Sequence, residues 1–251
     1  MPDYRHIDPP PDEYAPVIPF DTFMTYVFDW RQDQHVAIIG PTEQGKSNLA
    51  YHLLGARDYV AYLGIKSSDD TLSAFAAAGG YHRVYDWPPK AGRMVKREAT
   101  WDEMPKRLVW PDARDRRNAR IEQSRVFGLC LDDCWASGGA TVVWDDFWYI
   151  VRILRMELDA KQNLLNARSA RSPQMIIAQR GAGNRMVELY DQPTHLLHAR
   201  ETDARNLQLL GPSSSIRRGF VANLDRYQFL YENTRTDQKY RITAPLLGGQ
   251  K

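Results

Sequence analysis

Seven short apolar runs rich in β-branched and aromatic residues, separated by longer amphipathic stretches, restrict this chain more than any other feature. They are HVAIIG (35–40), YVAYLGI (59–65), RVYDW (83–87), RLVW (107–110), TVVWDD (141–146), QMIIAQ (174–179) and THLLHAR (194–200). Continuous apolar runs of this kind suit strands buried on both faces, and the stretches between them suit helices crossing from one parallel strand to the next. The end differs: YQFLYENTRTDQKYRITA (227–244) sets two β-rich segments around a polar turn, a hairpin with no helix between. The pattern predicts an α/β fold with a mostly parallel central sheet, flanking helices and a C-terminal antiparallel hairpin. The clearest predicted helix runs from about Trp148 to Ala167, with Ile150, Ile153, Leu154, Leu158, Leu164 and Leu165 as its apolar stripe.

The loop after the first run is Gly40-Pro41-Thr42-Glu43-Gln44-Gly45-Lys46-Ser47, followed by Asn48. It matches the phosphate-loop pattern G-x-x-x-x-G-K-[ST], and its context strengthens the match. VAIIG ahead of it reads as a strand, and NLAYHLLG behind it reads as a helix closed by Gly55. Gly40 and Gly45 let the backbone curl so that successive N–H groups point at phosphate oxygens, and the helix N-terminus adds a favourable dipole. Lys46 then reaches the β- and γ-phosphates of a nucleoside triphosphate, and Ser47 offers a hydroxyl to Mg²⁺. Glu43 would repel a triphosphate if it pointed inward, so it is expected to face solvent or an adjacent subunit.

Hydrolysis needs a second site, an acidic pair at another strand tip. LCLDDCW, with Asp132 and Asp133, follows IEQSRVFG and reads as a helix that ends at Gly138 and Gly139. TVVWDD follows that Gly-Gly break, has β-branched residues in front and leads into the long predicted helix, so Asp145 and Asp146 are the preferred pair. Asp145 would hold Mg²⁺ and Asp146 would position or deprotonate the nucleophile. QMIIAQ ends on Gln179, which could lie near the γ-phosphate or the lytic water.

Composition bounds the rest. The chain has 251 residues, 43% of them hydrophobic, and a net charge of only +2, so a uniformly basic nucleic-acid coat is not indicated. Arg114, Arg116, Arg117 and Arg120 could form a cationic stripe, although a solvated face is the simpler reading. Cys130 and Cys134 share one face of the predicted helix without the further ligands of a zinc site, which fits a reduced, intracellular chain. No apolar run reaches the roughly 18 to 20 residues that span a bilayer, and the polar, acidic start is unlike a signal peptide. The Pro-rich segment reads as an extended arm, a loose leader or a strap onto a neighbour, giving an arm and lead-in over 1–30 and one main domain over 31–251.

Taken in order, GPTEQGKS, TVVWDD and NARSARSPQMIIAQR resemble the FtsK/HerA superfamily of ring-forming, RecA-like ATPases that move DNA. Within it they are most similar to the small genome-packaging ATPases of membrane-containing icosahedral viruses. The resemblance covers roughly residues 35–244 and rests on an ordered set of short motifs. It implies ATP and Mg²⁺ as cofactors, a homo-oligomeric ring, double-stranded DNA bound without regard to sequence, and capsid-vertex or membrane-associated viral proteins as partners. It also implies a place in the host cytoplasm or the virion. Arg168 stands eleven positions before Gln179 and takes the family role of an arginine acting on a neighbour's nucleotide, with Arg171 and Arg180 as competitors. Asp146 departs from the family's more usual Glu, which puts the catalytic base in question. The alternatives are a plasmid or integrative-element DNA-transfer ATPase, and a nucleotide-dependent docking protein with negligible turnover.

Overall fold

Burial of both strand faces organises the chain. A computed structural model describes residues 14–66, 68–92, 97–111, 116–179, 188–208 and 215–246. The chain divides into two compact units, one formed by residues 54–176 and the other by 1–53 with 177–251.

The 54–176 unit holds strands β2 (Val60–Leu63), β3 (His82–Val84), β4 (Lys106–Val109), β5 (Thr141–Trp144) and the start of β6 (Gln174–Ala178). Their order is β3-β4-β2-β5-β6, all parallel, with Leu63 level with Val109 on one side and Trp144 on the other. The chain leaves β2 toward β4 but leaves β5 toward β6, so the order reverses between β2 and β5. A crevice at the carboxyl ends of strands forms at such a reversal. Helix α3 (Asp70–Ala78) starts on Asp69, whose carboxylate accepts from the Leu72 amide at 2.9 Å. Helix α4 (Arg116–Ser137) buries Val126, Phe127, Cys130, Leu131 and Cys134, so LCLDDCW is helical as expected. Both cysteines are free thiols.

The helix predicted over 148–167 is interrupted. A π-helical turn (Tyr149–Ile153) and a break at Arg155, whose φ is +60°, precede helix α5 (Glu157–Asn166). The apolar spacing continues across the break, but the turn shifts its phase and leaves Ile153, Leu158 and Leu165 exposed. The run at 83–87 is strand only through Val84.

In the other unit β6 continues through Ile177 and Ala178, and the order is β6-β1-β7-β8-β9, with β1 (Val36–Ile39), β7 (His195–Ala199), β8 (Gln228–Asn233) and β9 (Lys239–Thr243). β1 and β7 are parallel, and β7-β8-β9 run antiparallel, so the sheet finishes in the expected hairpin. On one face Phe23 of α1 (Phe20–Tyr26) and Phe28 pack on Tyr231 and His195. On the other, Leu207 of α6 (Ala204–Gln208) joins Phe220, Val221 and Leu224, which lie on or just after α7 (Ser215–Asn223), against Leu230. The described part of the Pro-rich arm docks on its own chain. Val17 bridges Arg241 of β9, the Arg241 Nε donates to Ala15 O at 2.9 Å, and Tyr14 stacks on Phe220. Edge strand β9 is thereby covered. Residues 1–13 lie outside the described residues.

Candidate functional site

The phosphate loop grows directly from β1. Gly40 N donates to Ala178 O at 3.2 Å, and a Cβ on Gly40 would stand 2.6 Å from the Ala199 Cβ, so only glycine permits this approach. Left-handed backbone at Glu43 (φ +62°) and Gly45 (φ +80°) curls the chain into the anion-binding concavity expected of the motif. Helix α2 (Lys46–Leu53) then begins, with Leu49 N donating to Gly45 O at 2.9 Å. A 3₁₀ turn (Leu54–Ala56) extends it, so Gly55 lies inside that turn and does not close the helix. Lys46 is buried, and its ammonium donates to Pro41 O at 2.5 Å across the loop. Pro41, Gln44, Ser47 and Asn48 are half-buried, while Thr42 and Glu43 are exposed, as expected for an acid that must not face a triphosphate. Gln179 follows β6 and is half-buried, next in sequence to the residue that accepts from Gly40. The structure thus brings Gly40–Asn48 and the β6 end together within one unit.

In the other unit, Asp145 and Asp146 sit at the carboxyl end of β5, at the strand-order reversal. Asp145 is only 9% exposed, and burial pushes its carboxyl up to about 6 while Lys66 pulls it back down. Asp146 takes φ +48°, a left-handed backbone that Asp tolerates better than most residues, and its carbonyl accepts from Tyr149 N at 2.9 Å to launch the π-helical turn. Lys66, beyond the tip of β2, pairs with Asp69 at 2.6 Å, and that hydrogen bond is the main reason its ammonium is held above the ordinary lysine range. Asp145 and Asp146 act on it in the same direction. The fully buried Gln123 fastens the two tips, donating to Ile65 O at 2.8 Å and accepting from the Tyr149 hydroxyl at 3.3 Å.

Sequence reasoning missed Lys66, Asp69 and Gln123. The legible signal was a lysine just past a strand run followed by an Asp N-cap; Gln123 had none. The rival pair lies on α4, where Asp133 is 3.8 Å from the buried Arg107 and accepts from Ser137, and Asp132 is exposed. Arg168 is half-buried in the turn after α5, where its carbonyl accepts from Arg171 N at 3.1 Å. Arg171 is exposed, and Arg120 is exposed on α4. Arg180 and Arg114, and the side chains of Arg116 and Arg117, lie outside the described residues.

No protein-family model and no curated protein matches the sequence. Solved structures do match. The DNA-packaging ATPase B204 from Sulfolobus turreted icosahedral virus is 16% identical, with a TM-score of 0.57 over 84% of this chain and 98% of that one. The genome packaging NTPase B204 from Sulfolobus turreted icosahedral virus 2, in complex with AMPPCP, is 16% identical with a TM-score of 0.55 over 84% and 98%. VirB4 of Thermoanaerobacter pseudethanolicus is 11% identical with a TM-score of 0.59 over 85% and 90%. The chain therefore shares the fold of these structures, the mostly parallel α/β sheet with a closing antiparallel hairpin that the sequence predicted. Among its structural neighbours are viral packaging ATPases.

Proposed function

We propose that this chain hydrolyses ATP to drive double-stranded DNA, as the packaging motor of a virus. The observation that carries the ATPase reading is the curled loop with Lys46 buried at its base, on a fold shared with packaging ATPases and VirB4. Backbone N–H groups between Thr42 and Ser47 and the Lys46 ammonium hold the phosphates. The Ser47 hydroxyl and the Asp145 carboxylate are hard oxygen donors that fit Mg²⁺, and a cation would offset the burial that raises Asp145. When bound, Mg²⁺ neutralises charge on the β- and γ-oxygens. Asp146 orients or deprotonates the attacking water, Gln179 reports on the γ-phosphate, and Arg168 serves a neighbour's nucleotide in a homo-oligomeric ring. DNA is gripped through its phosphates without base readout, with action in the host cytoplasm or on the virion, at a capsid vertex or beside membrane-associated viral proteins. Among the described residues no helix is long and apolar enough to cross a membrane.

The test is steady-state ATP hydrolysis with and without double-stranded DNA, over a range of protein concentrations, beside Lys46→Ala. Turnover that rises with DNA and more than linearly with protein, and vanishes in Lys46→Ala, is the expected result. Tight ATP binding with no DNA-stimulated turnover at any concentration would sink the stand-alone motor and favour a nucleotide-dependent docking role.

A further inference from the structure

Tyr227 occupies an unusual position for an aromatic residue. It stands in the turn ahead of β8 with φ +66°, a left-handed conformation that bulky side chains rarely take. The hairpin end holds it there, with Ala244 N donating to Tyr227 O at 3.3 Å. This backbone sets the ring on the phosphate loop: its Cδ1 lies 2.7 Å from where a Cβ on Gly45 would be. The Arg226 guanidinium lies over the same ring, 4.8 Å from its centroid. A second remote segment converges on the same place. Pro245 O accepts from Asn48 Nδ2 at 2.6 Å and from His52 Nε2 at 2.9 Å, tying the chain after β9 to the first turns of α2.

We infer that Tyr227, with Arg226 beside it, is the platform on which the base of the bound nucleotide stacks. The inference rests on the nucleotide reading of the loop. Phosphates seated on the loop amides leave the nucleoside to extend along the first turn of α2, past Ser47 and Asn48. The groups that converge there are an aromatic face, a guanidinium plane and a proline, and the Asn48 amide is committed to Pro245 O. These groups offer stacking to a base, and stacking tolerates any base because every base has a π-face. The substrate class is therefore a nucleoside triphosphate with relaxed base choice.

The experiment is calorimetric binding of ATP, GTP and inorganic tripolyphosphate to the full chain and to Tyr227→Gly and Tyr227→Phe. Glycine accepts the left-handed backbone, so Tyr227→Gly removes the ring without straining the turn. ATP and GTP should bind the unaltered chain within about 3-fold of each other, since stacking does not read base edges. Tyr227→Gly should weaken both about 5- to 100-fold, leave tripolyphosphate unchanged, and be rescued by Tyr227→Phe. Equal weakening of tripolyphosphate would mean that the ring only shapes the loop, and unchanged ATP binding would remove the platform; either overturns the inference. A preference between ATP and GTP far beyond this range overturns the relaxed base choice. If the unaltered chain binds neither nucleotide nor tripolyphosphate, the nucleotide reading itself fails.

Discussion

Gln123 accepts a hydrogen bond from the Tyr149 hydroxyl at 3.3 Å, tying the middle of α4 to the π-helical turn that follows Asp146. Its amide is also bonded to Ile65 O, beside Lys66. Gln123→Leu leaves that buried carbonyl without its donor, and we expect a loss of about 1–3 kcal/mol in urea unfolding. Because both acid-bearing tips hang on this amide, turnover should fall with KM for ATP little changed. Tyr149→Phe removes only the longer bond and should cost less than about 1 kcal/mol.

Asp146 combines a left-handed backbone with the proposed role of base. Asn tolerates its left-handed conformation, so Asp146→Asn should keep the unfolding midpoint while turnover drops about 10²- to 10⁴-fold. Asp146→Gly should raise stability by up to about 1 kcal/mol and be equally inactive. Unaltered turnover in Asp146→Asn would remove its assignment as base.

Arg107 is buried inside the sheet unit, yet it opens a run that reads as plain strand. Its guanidinium lies 3.8 Å from the Trp101 ring centroid and 5.0 Å from that of Trp87, and it donates to Met104 O and Ala99 O. Arg107→Ala should destabilise the protein by about 3 kcal/mol or more in thermal or urea unfolding, since it unpairs buried carbonyls and empties the space between two indoles. Arg107→Lys should recover only part of this, because an ammonium cannot stack as a plane.

His198 predicts acid sensitivity. It is 1% exposed, and among the described residues neither ring nitrogen has a hydrogen-bond partner. Burial pushes its pKa down to about 4 from the ordinary 6.5. The unfolded chain therefore takes up the proton first as pH falls, and stability is lost between about pH 6.5 and 4, by at most about 3 kcal/mol for this residue. His198→Leu should flatten that part of the pH dependence of unfolding. His195, lowered to about 4 mainly by burial, keeps its own share, and its nitrogens lie 2.9 Å from Gln34 and Tyr231.

Local pattern was enough for the strands, the closing hairpin and the phosphate loop, because each is encoded within a few neighbouring residues: apolar continuity, turn chemistry, and two glycines ahead of Lys46. That Asp145 and Asp146 follow a strand while Asp132 and Asp133 lie on a helix was legible for the same reason, since one pair ends a β-branched run and the other sits at helical spacing. Tertiary structure decided what surrounds them. Lys66 reaches the acids only because β2 pairs with β5, Gln123 binds only because α4 packs over both tips, and Tyr227 meets Gly45 from 182 residues away. The interruption at Arg155 was invisible because a π-helical turn preserves apolar spacing while rotating the face that is buried. Pairing and packing over such separations depend on which surfaces find each other in the folded chain, and no local period records that.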